Sequence, residues 1–518
     1  MLKMVDGTGI IGVDMVCPLG GTVSPPQPPN YDNVEMEGVG SLMLPNSLKA
    51  PLERVELIGN SVQGENPAPD NPQEIKSAGR KSRNLLNLQK QPDVKETYLG
   101  WKVSDGRNVV LSVKDKGNNA DITGCYLGLS RTGGSSDGVV WAVNNGSVAA
   151  KEVVSKNQYV SVFPSNETTV RKLLERFDIQ VEYGGNATDY EPYGYLLDLK
   201  VIGKNLFDSE KARDIANWIT KDGDGYAKFP IRVGKGNKAT FSYTEKLTTG
   251  KKFYLGIAQS ETGGIVGWLY HSAIESLITN ERTITAVGDY VYLSCSKSDI
   301  QKFYDTIKTL QVETYPTQTN YQPYKEQTLT LTSDRPITKW DKLVEQGGEY
   351  GWLYGSKIYV VTGNEVFESR DGYNIESYTN RFFILNDLLK KNDALKPLAY
   401  MKCLRNVQYV YSPNIFEEGF ETNINQFHIK LSNDRVGILA SDDHAVRTAK
   451  FSGYMKKIHK NGNPIEILYA TTDTVFFPLS QEEQTQLRNL HSYNGTTHVF
   501  VDSGEVPCGI KLTYRKEK

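Results

Sequence analysis

The sequence predicts a mainly β protein with two tandem antiparallel β-sandwich domains of jelly-roll type, an extended N-terminal arm and a C-terminal α+β domain. Three observations lead to this prediction. A set of landmark residues occurs twice in the same order, short stretches alternate apolar and polar residues, and clusters of Gly, Asn, Asp and Ser separate those stretches.

The internal repeat rests on six matched landmarks. The triplet Tyr-Leu-Gly begins at Tyr126 and again at Tyr254, and a tryptophan follows each Gly-rich turn, as Trp141 and Trp268. The other pairs are RNLLN and KNLFD around Asn84 and Asn205, YVSVF and YVYLS from Tyr159 and Tyr290, IQVE and LQVE ending at Glu182 and Glu313, and YEPY and YQPY from Tyr190 and Tyr321. Because the offsets stay between 121 and 131 residues, the drift is the size of ordinary loop insertions, and two copies of one domain are predicted.

Within each copy, the pattern is that of half-buried strands. NVVLSV and YVSVFP in the first copy, and ATFSYT and YVYLSC in the second, place apolar side chains on one face and polar ones on the other. Segments such as KGNNAD, VNNGS and KDGDG supply turn residues between them. Short strands joined by turns over about 120 residues are typical of an antiparallel sandwich or jelly roll.

The segments outside the repeat have different patterns. The first 50 residues contain GGTVSPPQPPNYD, in which each proline fixes its own φ and disfavours a helical predecessor, so an extended arm is predicted. In the last third, LSQEEQTQLRNL carries a capping box of Ser480 and Glu483 among strand-like segments. The predicted division is an attachment arm at 1–50, connector strands at 51–83, sandwiches at 84–204 and 205–330, and an α+β domain at 331–518.

The composition argues against several classes of protein. Lys and Arg number 59 against 61 for Asp and Glu, which gives a net charge of −2 and no sign of a basic nucleic-acid-binding face. No apolar run approaches the ~18 residues of a membrane span. The N-terminal MLKMVDGTGIIGVDMVCPLGG is interrupted by Asp and Gly, so no signal peptide is predicted. The cysteines form no CxxC motif and are predicted to be separate thiols made in a reducing cytoplasm: Cys17, Cys125, Cys295, Cys403 and Cys508.

Several longer phrases resemble a known family. PLERVELIGNSVQGENPAPDNPQEIKSAG, IQVEYGGNATDYEPYGY, RPITKWDKLVEQGGEYGW and LSQEEQTQLRNLHSYNGTTHVF are similar to segments of tail and baseplate proteins of bacteriophages that infect Gram-positive bacteria. In that family, a KNLF start and a QVE…YEPY end bracket carbohydrate-binding-like jelly rolls. The resemblance covers nearly everything after Pro51, although the family's acidic, Gly-rich run before YEPY is replaced here by YGGNATD.

The resemblance implies a structural protein of the virion, made in the host cytoplasm and assembled into the tail or baseplate. The expected partners are other virion proteins, further copies of this chain in a trimer or hexamer, and host cell-wall carbohydrate, without nucleic acid, membrane insertion or a cofactor. A virion-associated glycan depolymerase or cell-wall hydrolase is the alternative. A bacterial surface adhesin is disfavoured because no signal peptide or wall anchor is visible.

The residues themselves motivate no catalytic or metal site. SDDHAV places Asp442 and Asp443 beside His444, but adjacent residues point in different directions and the segment looks like a solvated turn. KDGDGY, from Lys221 to Tyr226, has two closely spaced carboxylates that suit Ca²⁺, but no following Glu in register, which favours an ordinary turn. No HExxH, GxSxG or P-loop motif occurs.

Trp141 and Trp268 are the candidate carbohydrate-binding residues, since an indole offers a flat apolar surface with a polar edge to a pyranose. The competing interpretation is that both are core residues, repeated because their domain is repeated.

Overall fold

The described part of the chain is mainly β, and its strands form several antiparallel sheets. This confirms the predicted fold class at its coarsest level. The computed structural model describes residues 3–6, 9–12, 31–36, 41–46, 49–64, 67–68, 70–88, 92, 94–95, 97–133, 136–220, 225–243, 254–271, 281–301, 309–371, 380–386, 399–401, 418–423, 426–461 and 463–515.

The first sandwich consists of a larger and a smaller sheet with a shared core. The six strands of the larger sheet are, in spatial order, Ser147–Val148, Val140–Asn144, Tyr126–Ser130, Tyr159–Phe163, Leu99–Lys102 and Val94–Lys95. The smaller sheet has the order Glu152–Ser155, Val109–Asp115 and Phe177–Tyr183, and the helix Glu167–Arg176 precedes its last strand. Apolar side chains from both sheets, including Leu111, Leu127, Val162 and Val181, form one buried cluster.

The second sandwich repeats the strand order of the first. In the direction used for the first sandwich, its larger sheet has the order Ile265–His271, Tyr254–Ala258, Tyr290–Ser296, Tyr226–Arg232 and Ile219–Thr220. The strand Ile265–His271 takes the place of Val140–Asn144. Its smaller sheet has the order Glu281–Thr285, Lys238–Ser242 and Gln311–Glu313. Short 3-10 helices lie at Lys211–Arg213, Ile215–Asn217 and Lys297–Asp299. The core of this sandwich also takes in Phe500, from a distant part of the chain.

A buried polar clasp holds the first strand-like segment of each sandwich against the last. In the first sandwich, the amide of Asn84 donates to the carbonyl oxygens of Ile179 and Glu191 at 3.3 and 3.2 Å. Its oxygen accepts from the amide nitrogens of Leu86 and Val181 at 3.0 and 3.1 Å. In the second sandwich, the corresponding bonds join Asn205 to Leu310, Gln322, Phe207 and Val312 at 3.3, 3.0, 3.0 and 3.0 Å.

The clasp continues into the QVE motif of each copy. The amide of Gln180 donates to Glu182, which also accepts from the nitrogen and hydroxyl of Thr188, at 2.7 to 2.8 Å. Gln311, Glu313 and Thr319 repeat these bonds at 2.7 to 2.9 Å. Apart from the two threonines, these polar residues are buried, and each of them is satisfied by hydrogen bonds, as buried polar groups usually are.

Two further sheets form a central body, called here the hub. Its five-stranded sheet contains Glu326–Ser333, Tyr195–Ile202, Gly495–Asp502 and Ser41–Asn46, with Arg80–Lys81 beside Tyr195–Ile202. Its seven-stranded sheet has the order Tyr31–Met36, Gly509–Arg515, Leu52–Ile58, Lys342–Gln346, Glu349–Val360, Glu466–Pro478 and Ala399–Met401. The helix Gln481–Asn489 buries Leu487 in the same core, and Ser480 and Glu483 form the predicted capping box at its start.

The hub draws its strands from several of the predicted segments. Strands Tyr31–Met36 and Ser41–Asn46, from the predicted arm, lie at sheet edges, while residues 13–30 of the arm are outside the described residues. Tyr195–Ile202 and Glu326–Ser333, which follow the two sandwiches, pair with each other. Each sandwich therefore begins and ends at the hub.

A smaller unit is inserted between two hub strands. It contains a four-stranded sheet, with the order Phe367–Asp371, Asn380–Asn386, Gln426–Ser432 and Gly419–Asn423, and the helices Asn433–Val436 and His444–Lys460. Phe451 and Met455 of the longer helix pack into its core. Two-stranded pairs at Lys3–Asp6 with Gly9–Gly12 and at Ser61–Val62 with Lys76–Ser77 complete the described sheets. Cys125, Cys295 and Cys508 are buried thiols, and Cys17 and Cys403 lie outside the described residues.

Candidate functional site

Both candidate tryptophans lie on the outer face of a larger sheet. In the strand Val140–Asn144, Ala142 and Val143 face the core and Trp141 does not. In Ile265–His271, Leu269 faces the core and Trp268 does not. Each indole is partly exposed, and neither belongs to the buried core cluster of its sandwich.

A glycine stands opposite each tryptophan on the neighbouring strand. Gly128 pairs with Trp141, and Gly256 pairs with Trp268. A Cβ on Gly128 would lie 3.0 Å from the indole atom Cε3 of Trp141 and 2.5 Å from the carbonyl oxygen of Val140. A larger residue at this position would displace the strand that carries the tryptophan.

Two tyrosines accompany each tryptophan on the same face. The rings of Tyr126 and Trp141 are 5.5 Å apart at 62°, and those of Tyr254 and Trp268 are 6.1 Å apart at 63°. Tyr98 lies 6.3 Å from Trp141 in the first sandwich. Its counterpart is Tyr226, because the following residues, Leu99 and Ala227, occupy the same place in the pairing of the two sheets. We call Tyr98, Tyr126 and Trp141 the first aromatic triad, and Tyr226, Tyr254 and Trp268 the second.

The residue between the two tyrosines differs in the two sandwiches. In the first it is Phe163, whose ring centre lies 4.9 Å from that of Tyr98 and 5.5 Å from that of Tyr126. In the second it is Ser296, which pairs with Tyr226 on one side and follows Cys295, the partner of Leu255, on the other. Ser296 is partly exposed.

Hydrogen bonds hold the loop that leads to each tryptophan. In the first sandwich, the amide of Asn157 donates to the carbonyl oxygens of Leu129 and Gly138 at 2.8 and 3.0 Å. In the second, the ammonium group of Lys228 donates to the carbonyl oxygens of Ser260 and Glu261 at 3.3 and 2.6 Å. The two loops are thus fixed by different side chains, although the triads that they border are alike.

The strand register corrects one of the six predicted landmark matches. Leu127 pairs with Val162, and Leu255 pairs with Cys295, so the structural counterpart of Val162 is Cys295. YVSVF therefore corresponds to Tyr292–Ser296 rather than to the segment that starts at Tyr290. The matched letters are displaced by two residues, which keeps every side chain on the same face of its strand.

Sequence reasoning identified the tryptophans but missed the rest of each triad. A usable signal was present, because Tyr98 and Tyr226 are separated by the same 128 residues as Tyr126 and Tyr254. The contrast between Phe163 and Ser296 was hidden by the displaced match.

The other candidate segments have structural roles or lie outside the description. Asp443 is the N-cap of His444–Lys460 and accepts from the amide of Val446 at 2.8 Å. Asp442 accepts from the amide of Leu439 and from Lys450, whose hydrogen bond contributes most to the lowered pKa of this carboxyl. Residues 221–224 of KDGDGY are outside the described residues. Elsewhere in the described chain, no group of three or more His, Cys, Asp and Glu could hold a metal ion.

Among the described residues, no helix is both long enough and apolar enough to cross a bilayer. No family model matches the chain, and the searches of curated proteins and of solved structures also return no match.

Proposed function

We propose that this chain is a non-enzymatic structural protein of a bacteriophage tail or baseplate whose two sandwiches contact cell-surface carbohydrate. In this proposal the sandwiches are tandem copies of one jelly-roll-like domain. The N-terminal segment serves as an attachment arm, and the chain assembles with other virion proteins and with copies of itself. The resemblance of four segments to phage tail and baseplate proteins supports the virion assignment.

The recurrence of the aromatic triads supports the carbohydrate-binding part. Three aromatic residues occupy the same register positions on the outer faces of both larger sheets, in partly exposed positions. Packing of a core does not require aromatic residues on this side of a sheet. Aromatic rings with a polar edge suit the mixed apolar and polar surface of a pyranose.

Repetition also fits the energetics expected of such a protein. A single flat aromatic contact gives weak binding, but two faces per chain and several chains per virion raise the effective concentration of sites. Closed symmetry is usual for soluble homo-oligomers, and a trimer or hexamer would present these faces together.

The test is binding of the full-length protein to purified cell-wall polysaccharides from a panel of Gram-positive bacteria. We expect saturable binding to at least one polysaccharide, weakened about tenfold by Trp141→Ala or Trp268→Ala and more strongly by the double substitution. Trp340→Ala is the matched control, because Trp340 is a partly exposed tryptophan of the hub. Thermal unfolding of every variant checks that the fold is kept.

Two results would count against the proposal. Absence of binding by the folded wild-type protein across the panel would remove the carbohydrate role and leave assembly contacts alone. Release of reducing ends from a bound polysaccharide would instead favour the alternative, a virion-associated depolymerase or hydrolase.

A further inference from the structure

We propose that the first sandwich rotates as one body relative to the hub, and that ion pairs of Glu191 hold it in the observed position. The second sandwich, by contrast, is fixed to the hub. We call Glu191, Arg80 and Arg83 the junction lock. The inference concerns how the sandwiches are attached, so it does not depend on the carbohydrate role.

The second sandwich shares its core with the hub. Its buried apolar cluster includes Ile202 and Phe500, which belong to two hub strands. The guanidinium group of Arg232, in the sandwich, lies 5.0 Å from the centre of the Phe500 ring and donates to the carbonyl oxygen of Val501 at 3.5 Å. Rotation of this sandwich would expose buried apolar surface to water, and the free-energy cost of that exposure grows with the area. The second sandwich is therefore expected to move together with the hub.

The first sandwich closes its core without the hub. The buried residues of its apolar cluster all lie between Leu86 and Val181, and the partly buried residues packed against that cluster lie between Leu85 and Val170. Within the described part of the chain, no hub strand contributes to this cluster. A domain that has its own core and a polar contact with its neighbour is expected to move relative to that neighbour.

Charged side chains join the first sandwich to the hub. One carboxylate oxygen of Glu191 accepts from the side chains of Arg80 and Arg83 at 2.8 and 3.1 Å, and the other accepts from the main-chain amide of Arg83 at 2.9 Å. Arg80 lies on a hub strand and also pairs with Asp198 of the neighbouring strand at 3.3 Å. The side chain of Glu191 is 9% exposed, whereas those of Arg80 and Arg83 are 37% and 56% exposed. The arginines of the junction lock are therefore open to water and salt.

The position of Glu191 distinguishes the two sandwiches by charge. Its counterpart is Gln322, because the main-chain amides of Glu191 and Gln322 donate to Gln180 and Gln311 at 2.6 and 2.9 Å, in the same place in each clasp. The carboxylate thus belongs to the sandwich that has its own core, and the neutral amide belongs to the sandwich that shares a core with the hub. This arrangement is expected if the ion pairs take the place of a shared apolar core.

Two neighbouring chain connections provide the axis of the rotation. The chain enters the first sandwich after Lys81 and leaves it before Tyr195, and between these points the amide of Ser82 donates to the carbonyl oxygen of Gly194 at 2.8 Å. Hinges of this kind consist of a few residues at the ends of regular elements. Ion pairs that are open to solvent weaken as salt is added, so salt should release the junction lock while the two connections stay joined.

The test measures distances in the full-length protein by pulsed electron paramagnetic resonance between genetically encoded spin-labelled amino acids. One pair of labels replaces Lys151 of the first sandwich and Glu349 of the hub, and the other replaces Lys238 of the second sandwich and Glu349, all at exposed positions. When NaCl is raised from about 0.05 M to about 1 M, the distance distribution of the first pair should broaden about twofold and that of the second pair should stay unchanged. Glu191→Gln, which places the residue of the second sandwich in the first, should broaden the first distribution at low salt by a similar factor.

Arg107→Gln is the matched control, because it removes an arginine whose exposed ion pair with Asp105 lies within the first sandwich. This variant should leave both distributions unchanged. A first distribution that stays as narrow as the second at about 1 M salt, or in the folded Glu191→Gln variant, would overturn the inference. Equal broadening of both pairs would overturn it as well, because the second sandwich would then be no more fixed than the first. If Glu191→Gln does not fold, the salt series on the chain with the wild-type lock decides the matter.

Discussion

Replacing Asn84 by alanine should unfold the first sandwich at much lower denaturant concentration. The side chain is buried, with 4% of its surface exposed, and makes four hydrogen bonds, all to main-chain groups. Alanine would leave two amide nitrogens and two carbonyl oxygens without these partners. At about 1 kcal/mol for each hydrogen bond, the expected loss of stability is about 4 kcal/mol.

The measurement is native-state hydrogen exchange of the full-length protein, read on the amides of Phe177–Tyr183 in the first sandwich and of Gln311–Glu313 in the second. Asn84→Ala should speed exchange only in the first set, and Asn205→Ala should do so only in the second, by a similar factor. Asn108→Ala, at an exposed position, should change neither by more than about 0.5 kcal/mol. A loss below about 1 kcal/mol in both clasp variants would refute the view that these bonds hold the sandwiches closed.

For three further perturbations, the structure predicts whether the stability of the protein rises or falls. Burial lowers the pKa of His498 to about 4, below the ordinary value of about 6.5. As the pH falls, this histidine is therefore protonated at a higher pH in the unfolded chain than in the folded protein. Stability should therefore fall by about 3 kcal/mol as the pH drops from about 7 to about 4, and a urea series should show a shallower pH dependence for His498→Gln. Gly194 has a φ of +127°, and a Cβ there would lie 2.3 Å from the carbonyl oxygen of Ser333. Gly194→Ala should therefore lower the unfolding free energy by about 2 kcal/mol. An unchanged melting temperature would contradict this prediction. Ser480→Ala removes the hydroxyl that accepts from the main-chain amide of Glu483, so it should lower the unfolding free energy by about 1 kcal/mol in the same urea denaturation. Ser480→Asp should keep most of this stability, because a carboxylate can accept the same hydrogen bond.

The features that the sequence predicted are those with a local signal. The alternating segment NVVLSV lies in the strand Val109–Asp115, and the capping box at Ser480 begins a helix at the next residue. Both follow from side-chain periodicity or from a pair of residues three positions apart.

The hub shows why the rest could not be read in the same way. The strand Ser41–Asn46 pairs with Gly495–Asp502, and Tyr31–Met36 pairs with Gly509–Arg515, across more than four hundred residues of sequence. The amino-acid sequence of a short strand does not identify which distant strand pairs with it. The buried face of Leu42 and Leu44 indicates only that some partner exists.

The displaced landmark match has a more specific cause. A shift of two residues along a strand leaves the alternation of buried and exposed positions unchanged, so similarity of letters cannot detect it. Only the pairing of Leu127 with Val162, and of Leu255 with Cys295, fixes the true correspondence. That correspondence then places Phe163 and Ser296 at the same position.

The two sandwiches share the buried asparagine of the clasp, Asn84 or Asn205, but differ at the outer-face position of Phe163 and Ser296. Asn84 and Asn205 make the same four hydrogen bonds to the main chain. Because the loss of any of these bonds would leave a buried main-chain group without a partner, substitution at this position is costly. The position of Phe163 and Ser296 is on the outer face, where a substitution alters a surface without opening the core. The two sandwiches can therefore keep the same clasp while the side chains on their outer faces differ. The phenyl ring of Phe163, which Ser296 lacks, is one such difference, and the side chains that hold the loops beside the tryptophans, Asn157 and Lys228, are another.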